Sequence, residues 1–227
     1  MTTPNTLPPP GCVYGAALNY RAALESLADV FNRAPHGKPP VAPVLYVKPR
    51  NTWTSHLQPV PLPDGVAVVE VGATVGVVIG HDARRVPETA ANDVIAGYLL
   101  VNDVTIPHAS LFRPPLRFKC RDGFCPIGEF VARADAPSVD ALEFRAYVNG
   151  ELCMTANTAG LHRGVARLIA DVTEFMTLRC GDVLLLGVPP APALARAGDL
   201  MTVEAEGLGR LENRLVADTD LHNEVAR

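Results

Sequence analysis

Along this chain, apolar positions gather in short runs and alternating stretches more often than they recur at helical spacing, which predicts a domain built mainly from β-strands. Residues 13–18 form a short apolar segment suited to a buried strand, and residues 41–48 alternate into a second that ends on Lys48. Residues 66–79 form one long β-rich run, broken by Gly72 and closed by Gly80. Residues 98–101 predict a buried central strand that stops abruptly at Asn102-Asp103. Residues 144–148 and 152–155 flank Asn149-Gly150, a pair that favours the tight hairpin turn with positive φ at both central positions. Residues 183–186 add a strand after the Gly181-Asp182 turn, and residues 200–206 and 211–216 close a last hairpin through Gly207-Leu208-Gly209.

Helical spacing is confined to a few places. Leu24, Leu27, Ala28 and Phe31 share one face of a helix that Asn19 is placed to cap and that must stop before Pro35. Residues 87–96 read as a second helix. Val165, Leu168, Ile169, Val172, Phe175 and Met176 give the clearest amphipathic stripe, with Asn157 or Thr158 near its start. Pro59, Pro61, Pro63 and Gly65 mark residues 53–65 as loop. The expected organisation is a loose arm over residues 1–10, a single α+β, mainly β domain over 11–217, and a frayed tail over 218–227.

Composition narrows the classes. A chain of 227 residues can bury a sizeable core unaided. A net charge of −4 offers no basic face, so neither nucleic acid nor an anionic membrane is an expected partner. No apolar run approaches the roughly 18 residues needed to span a bilayer, and the first residues lack the basic and apolar regions of a signal peptide. Cys12, Cys120, Cys125, Cys153 and Cys180 are odd in number and form no Cys-x-x-Cys pair, so they are expected to be reduced and mostly packed, as in a cytoplasmic protein. For Cys120 and Cys125, the alternative to small buried hydrophobes is a redox pair.

The candidate chemistry gathers in residues 97–129. A carboxylate at the end of a buried strand is rarely a packing choice, since buried charges are paired or bound. After Asp103 the chain bends at Ile106-Pro107 and Arg113-Pro114-Pro115, then returns through Lys119-Cys120-Arg121-Asp122-Gly123. Arg113, Arg117, Lys119 and Arg121 thus lie near Asp103 and Asp122 in sequence; the alternatives are a solvated loop with surface ion pairs and a binding site. Lys48, at its strand end, is either a solvated cation or a contact for a substrate carboxylate. None of the histidines shows ligand spacing, and His108, five residues after Asp103, is the one worth testing. No phosphate loop, nucleophile elbow or dinucleotide fingerprint is present.

Asn102-Asp103-Val104 followed by Lys119-x-Arg121-Asp122-Gly123-Phe124-x-Pro126-Ile127-Gly128 resembles the central signature of the fumarylacetoacetate hydrolase family. Ala17-Leu18-Asn19-Tyr20, Tyr46-Val47-Lys48-Pro49, Val77-Val78-Ile79-Gly80, Val148-Asn149-Gly150-Glu151, Gly181-Asp182-Val183 with Gly187-x-Pro189, and Gly207-Leu208-Gly209-Arg210-Leu211-x-Asn213 follow the family order. Lys48-Pro49-Arg50-Asn51-Thr52 and Gly72-Ala73-Thr74-Val75 are most similar to one branch, the N-terminal half or subunit of the bifunctional isomerase/decarboxylases of 4-hydroxyphenylacetate degradation. The resemblance implies a mixed β-sandwich roll with a few peripheral helices, a pocket at one edge, and a homodimer or a heterodimer with a homologous subunit.

It also implies a di- or tricarboxylate substrate, with Lys119, Asp103 and Asp122 as catalytic groups and Arg121, Lys48 and Arg113 as substrate contacts. The family's divalent cation is held by three carboxylates. Here only Asp103 stands at such a position, with Gly72 and Thr74 at the other two; Glu70 lies just upstream, but a register shift of two keeps only one carboxylate on the correct strand face, so no tightly bound cofactor is expected and Mg²⁺ at most weakly. Ala23 and Ser26 occupy the places of a His and Glu dyad, and Gly187-Val188-Pro189 lacks the family's threonine. Three functions follow: an isomerase/decarboxylase subunit working without tightly held metal, a degenerate partner of a metal-competent homologue, and a metal-dependent acylpyruvate hydrolase, with which Gly72 and Thr74 conflict.

Overall fold

In the computed structural model, which describes residues 11–34, 37–109 and 115–219, the chain opens with β1 (Val13–Ala17) and two short helices, α1 (Arg21–Ser26) and α2 (Ala28–Phe31). The helical stretch is split at Leu27, and Tyr20 rather than Asn19 stands at its N-cap. The Asn19 side chain points inward instead: Nδ2 donates to Leu186 O at 2.9 Å and Arg163 O at 3.0 Å, and Oδ1 accepts from Arg163 N at 3.0 Å. A buried amide that satisfies three main-chain groups outcompetes a solvent-side cap.

Next come β2 (Val44–Lys48), β3 (Trp53–Ser55) and β4 (Val60–Leu62), the last two inside the stretch expected to be loop. Pro61 is tolerated because β4 lies at a sheet edge, where a missing N–H breaks no ladder. Gly72 divides the long apolar run into β5 (Val69–Val71) and β6 (Ala73–Ile79), which join different sheets. The expected helix over residues 87–96 is a 3₁₀ turn, Glu88–Val94, and β7 (Ile95–Asn102) takes the rest. α3 (Leu116–Lys119), β8 (Cys125–Ile127), β9 (Val131–Ala132), β10 (Glu143–Val148) and β11 (Glu151–Asn157) follow. The β10–β11 turn has φ of 53° at Asn149 and 85° at Gly150, as that sequence requires.

Asn157 caps the 3₁₀ turn Thr158–Gly160, accepting from Ala159 N at 2.8 Å, and Gly164 stands at the N-cap of α4 (Val165–Phe175). Leu168, Ile169 and Val172 of that helix are fully buried, whereas Phe175 is 61% exposed. β12 (Val183–Leu185), the unforeseen β13 (Ala193–Ala195), β14 (Leu200–Ala205) and β15 (Gly209–Ala217) complete the chain.

The strands form two main layers. The larger sheet runs β2-β1-β12-β6-β7-β8-β3, with β9 paired to β7, and the smaller runs β11-β10-β14-β15-β4. β6 and β7 pair antiparallel near the middle of the larger sheet, and every residue of β6 is buried. A continuous core including Val75, Val77, Leu100, Phe144, Val203 and Leu211 lies between the layers. No described helix is long and apolar enough to cross a membrane. All five cysteines are free; Cys125 is buried and Cys120 half-buried, but Cys12, Cys153 and Cys180 are exposed, against the expectation that most would be packed.

Candidate active site

The ends of two strands that are not neighbours in the sheet, β2 and β7, build the site. Alternation along β2 turns Tyr46 and Lys48 to the same buried face, at 7% and 1% exposure. Gly15 pairs with Tyr46 across the ladder, and a Cβ at Gly15 would come within 2.1 Å of the Tyr46 ring, so the glycine makes room for it. β7 ends at Asn102, and the next residue, Asp103, is completely buried. Asp103 N donates to Gly72 O at 2.8 Å, and Gly72 N donates to Asn102 Oδ1 at 2.9 Å, which locks the β5–β6 break against the end of β7.

Asp103 is the anion of a buried cluster. Its Oδ1 lies 2.6 Å from Lys48 Nζ, and its Oδ2 accepts from Lys119 Nζ at 2.7 Å and from the Tyr46 hydroxyl. Lys119, the last residue of α3, also donates to Thr105 Oγ1 at 2.8 Å and sits 4.5 Å from the centre of the Tyr46 ring. Burial pushes the Asp103 carboxyl up, but Lys119 and Lys48 outweigh it and hold the group down at about 2. Burial likewise lowers Lys48, with Asp103 opposing the change, and raises Tyr46 well above the usual phenol value.

Lys48 is neither solvated nor aimed at a pocket. Its ammonium donates to the carbonyls of Val104 at 2.9 Å, Lys119 at 2.9 Å and Phe124 at 2.8 Å while facing Asp103. Three N–H groups meet four oxygens, so no donor remains for a substrate carboxylate. The expectation of a substrate contact at Lys48 is replaced by that of an internal tie, which joins residues 103–104 to the 119–124 segment.

Of the residues singled out from the sequence, the fold therefore brings Lys48, Asp103 and Lys119 together. It does not bring Asp122 and Arg121 to them. Asp122 is exposed and accepts from Asn51 Nδ2 at 2.7 Å, and Arg121 Nε donates to Arg117 O at 3.0 Å, within the turn after α3. Among the described residues, no ion pair joins either to Asp103. Arg113 lies outside the described residues. His108 stacks on Phe118 with ring centres 4.5 Å apart. Tyr46 and Thr105 were missed, although Tyr46 shares strand parity with Lys48, a signal the sequence did carry.

The divalent cation implied by the family resemblance does not fit these residues. A Cβ at Gly72 would stand 2.2 Å from Asp103 O, so no carboxylate side chain can occupy that place on this backbone. Thr74 is buried and its hydroxyl donates to Gly187 O at 2.7 Å. The two ammonium groups already take up the charge of Asp103.

Comparison with known proteins accords with this architecture. The family model described as "Fumarylacetoacetate (FAA) hydrolase C-terminal" matches residues 12–216. The 4-hydroxyphenylacetate degradation bifunctional isomerase/decarboxylase of Escherichia coli is 42% identical over 211 residues, 93% of this chain and 48% of that protein. This chain thus spans about half the length of these curated relatives. Among solved structures, a 5-carboxymethyl-2-hydroxymuconate delta-isomerase from Mycobacterium smegmatis superposes with a TM-score of 0.76 at 29% identity, covering 92% of this chain and 79% of the other. A 2-hydroxyhepta-2,4-diene-1,7-dioate isomerase from Mycobacterium marinum gives a TM-score of 0.76 at 27% identity, covering 92% and 75%. On its sequence and its fold alike, this chain belongs to the fumarylacetoacetate hydrolase family.

Proposed function

We propose that this chain is a subunit of a 2-hydroxyhepta-2,4-diene-1,7-dioate isomerase / 5-oxopent-3-ene-1,2,5-tricarboxylate decarboxylase in aromatic (4-hydroxyphenylacetate) catabolism. The observation that carries the proposal is the Lys119 ammonium, fixed by buried Asp103 and Thr105 yet 14% exposed at its side chain. Both reactions build negative charge on the oxygen of a 2-oxo or 2-hydroxy acid, and a preplaced cation in a water-poor site stabilises that charge. Two of the three Lys119 hydrogens are engaged within the cluster, which leaves one for the substrate oxygen. Among the described residues the Arg121 side chain bonds only through Nε, to Arg117 O, and its terminal nitrogens are the groups proposed for a distal carboxylate. The partner proposed is a second domain of the same family, identical or homologous, because the curated isomerase/decarboxylase relatives are about twice as long.

A second function has a specific observation in its favour. At the dyad positions, Ala23 has no side-chain proton to move, and the Ser26 hydroxyl donates to Ala23 O at 2.9 Å. A catalytically degenerate partner of a metal-competent homologue would look the same there.

The experiment is to assay the purified chain alone and mixed with a homologous subunit, on both substrates and on an acylpyruvate, with Mg²⁺ and with EDTA. Turnover by the chain alone, untouched by EDTA, is expected. Turnover confined to the mixture supports the degenerate partner. Mg²⁺-dependent acylpyruvate hydrolysis by the chain alone overturns both.

A further inference from the structure

We propose that Glu70 is the catalytic acid that delivers the proton to carbon in this site, an inference that rests on the isomerase function proposed above. Glu70 is the middle residue of β5. Val69 and Val71 on either side are fully buried in the core, so strand alternation turns Glu70 to the opposite face. There it forms an isolated antiparallel bridge with Thr105, Glu70 N donating to Thr105 O at 2.8 Å and Thr105 N to Glu70 O at 3.3 Å. Residues that exchange both hydrogen bonds stand directly opposite, about 5.5 Å apart at Cα, with side chains on one side of the ladder. Thr105 Oγ1 is the atom that receives Lys119 Nζ at 2.8 Å. The Glu70 carboxyl and the Lys119 ammonium therefore rise on the same face.

The other carboxylate of the cluster is unsuited to moving a proton. Asp103 is completely buried, its oxygens face Lys48, Lys119 and Tyr46, and it is held ionised. Glu70 is half-buried, and among the described residues no hydrogen bond holds its carboxyl. On its far side β5 pairs with β13, which presents the uncharged Leu194 opposite Glu70. The charges acting on it are thus Lys119 and Asp103.

The proton balance closes on one substrate and water. In the 2-hydroxy-2,4-dienoate, the O–H bond at C2 breaks and its electron pair forms the C2 carbonyl. The C2–C3 double-bond pair moves to C3–C4, and the C4–C5 pair takes the proton from the Glu70 carboxyl to form a C–H bond at C5. Lys119 holds the C2 oxygen while its proton leaves to water, and water returns a proton to the Glu70 carboxylate.

The test compares wild type with Glu70→Gln, Glu70→Asp and Glu70→Ala, measuring turnover of 2-hydroxyhepta-2,4-diene-1,7-dioate, deuterium incorporation at C5 in D₂O, and circular dichroism as a check of folding. Glu70→Gln is expected to lower kcat by about 10²–10⁴-fold with KM little changed. Glu70→Asp is expected to recover part of the loss, and added acetate to restore C5 deuteration in Glu70→Ala, which a purely structural role would not produce. A Glu70→Gln or Glu70→Ala protein that deuterates C5 at the wild-type rate overturns the assignment while the isomerase function stands. A wild-type chain that leaves the substrate unchanged, alone and with a homologous partner, overturns the isomerase function itself and this inference with it.

Discussion

Lys48 Nζ lies 2.6 Å from Asp103 Oδ1, and neither side chain has any exposed surface. Taking two charges out of water is costly, and the pair is tolerated because Lys48 also donates to three main-chain carbonyls and Asp103 accepts from Tyr46 and Lys119. Removing one member leaves the other buried and less well compensated. Lys48→Met is expected to cost about 3–5 kcal/mol, on the order of 10 °C in Tm for a domain of this size. The single tryptophan provides a local probe, because Trp53 Nε1 donates to Lys48 O at 2.9 Å. Its emission is expected to shift to the red in the variant before global unfolding. In a double-mutant cycle with Asp103→Asn, the second change is expected to cost less than it does alone, because the charge left unpaired by Lys48→Met is then gone.

The same cluster sets the acid limit of stability. The folded Asp103 carboxyl is held at about 2, below its ordinary value of 3.8, so the folded state binds fewer protons than the unfolded chain in that interval. A depressed carboxyl contributes stability that is present above the unfolded value and lost as pH falls through the folded one. Urea midpoints are expected to be steady with respect to this group near neutral pH and to fall from about pH 4 towards pH 2. Asp103→Asn should be less stable at neutral pH and should lose that part of the acid slope. An identical slope in the variant would assign the acid transition to other carboxylates.

Much of the layer structure was legible from hydrophobic pattern. The two hairpins, the central strand and the amphipathic helix α4 stand close to where alternation and stripe put them, because each is a local pattern facing one core. The pattern failed where long-range partners decide. Pro59, Pro61 and Pro63 read as loop, yet β4 pairs with β15 across about 150 residues of chain, a contact no local window contains. Asn19 read as a cap because its two carbonyl partners, Arg163 and Leu186, are distant in sequence. The site was legible in the same measure. A strand-end carboxylate with nearby lysines pointed to Asp103 and Lys119, but only the fold shows Lys48 turned inward and Asp122 turned out to Asn51. Glu70 lay outside the expected set because its relation to Lys119 runs through Thr105, which sequence proximity to Lys119 does not reveal.

The cysteines give a prediction that needs no substrate. Cys12, Cys153 and Cys180 are exposed, whereas burial pushes the Cys125 thiol up to about 12 and raises that of half-buried Cys120. The thiolate is the reactive form, so the native protein is expected to titrate the three exposed thiols rapidly with a disulfide reagent at neutral pH. Cys120 should follow slowly, held by its contact with Val47 O at 3.2 Å, and Cys125 should react only on unfolding. Rapid reaction of all five in the native state would mean that the Lys119–Cys125 segment opens readily.

Gly72 separates two explanations for the altered cation site. If the glycine were merely a lost side chain on a backbone still shaped to hold one, restoring a carboxylate would restore a ligand. The main chain argues otherwise: a Cβ there meets Asp103 O at 2.2 Å, its carbonyl carbon at 2.8 Å and its Cα at 3.2 Å, all backbone atoms that cannot swing aside. Gly72→Ala is therefore expected to destabilise by about 1–3 kcal/mol through overpacking. It should also lower kcat, because the residue displaced is the one that holds Lys119. Gly72→Glu should be worse on both counts and should still show no heat of Mg²⁺ binding by calorimetry, since Lys48 and Lys119 already face Asp103. A Gly72→Glu protein that kept wild-type stability and bound Mg²⁺ would show that the close approach of Gly72 to Asp103 yields easily, and that this site differs from the cation site implied by the family resemblance by side chains alone.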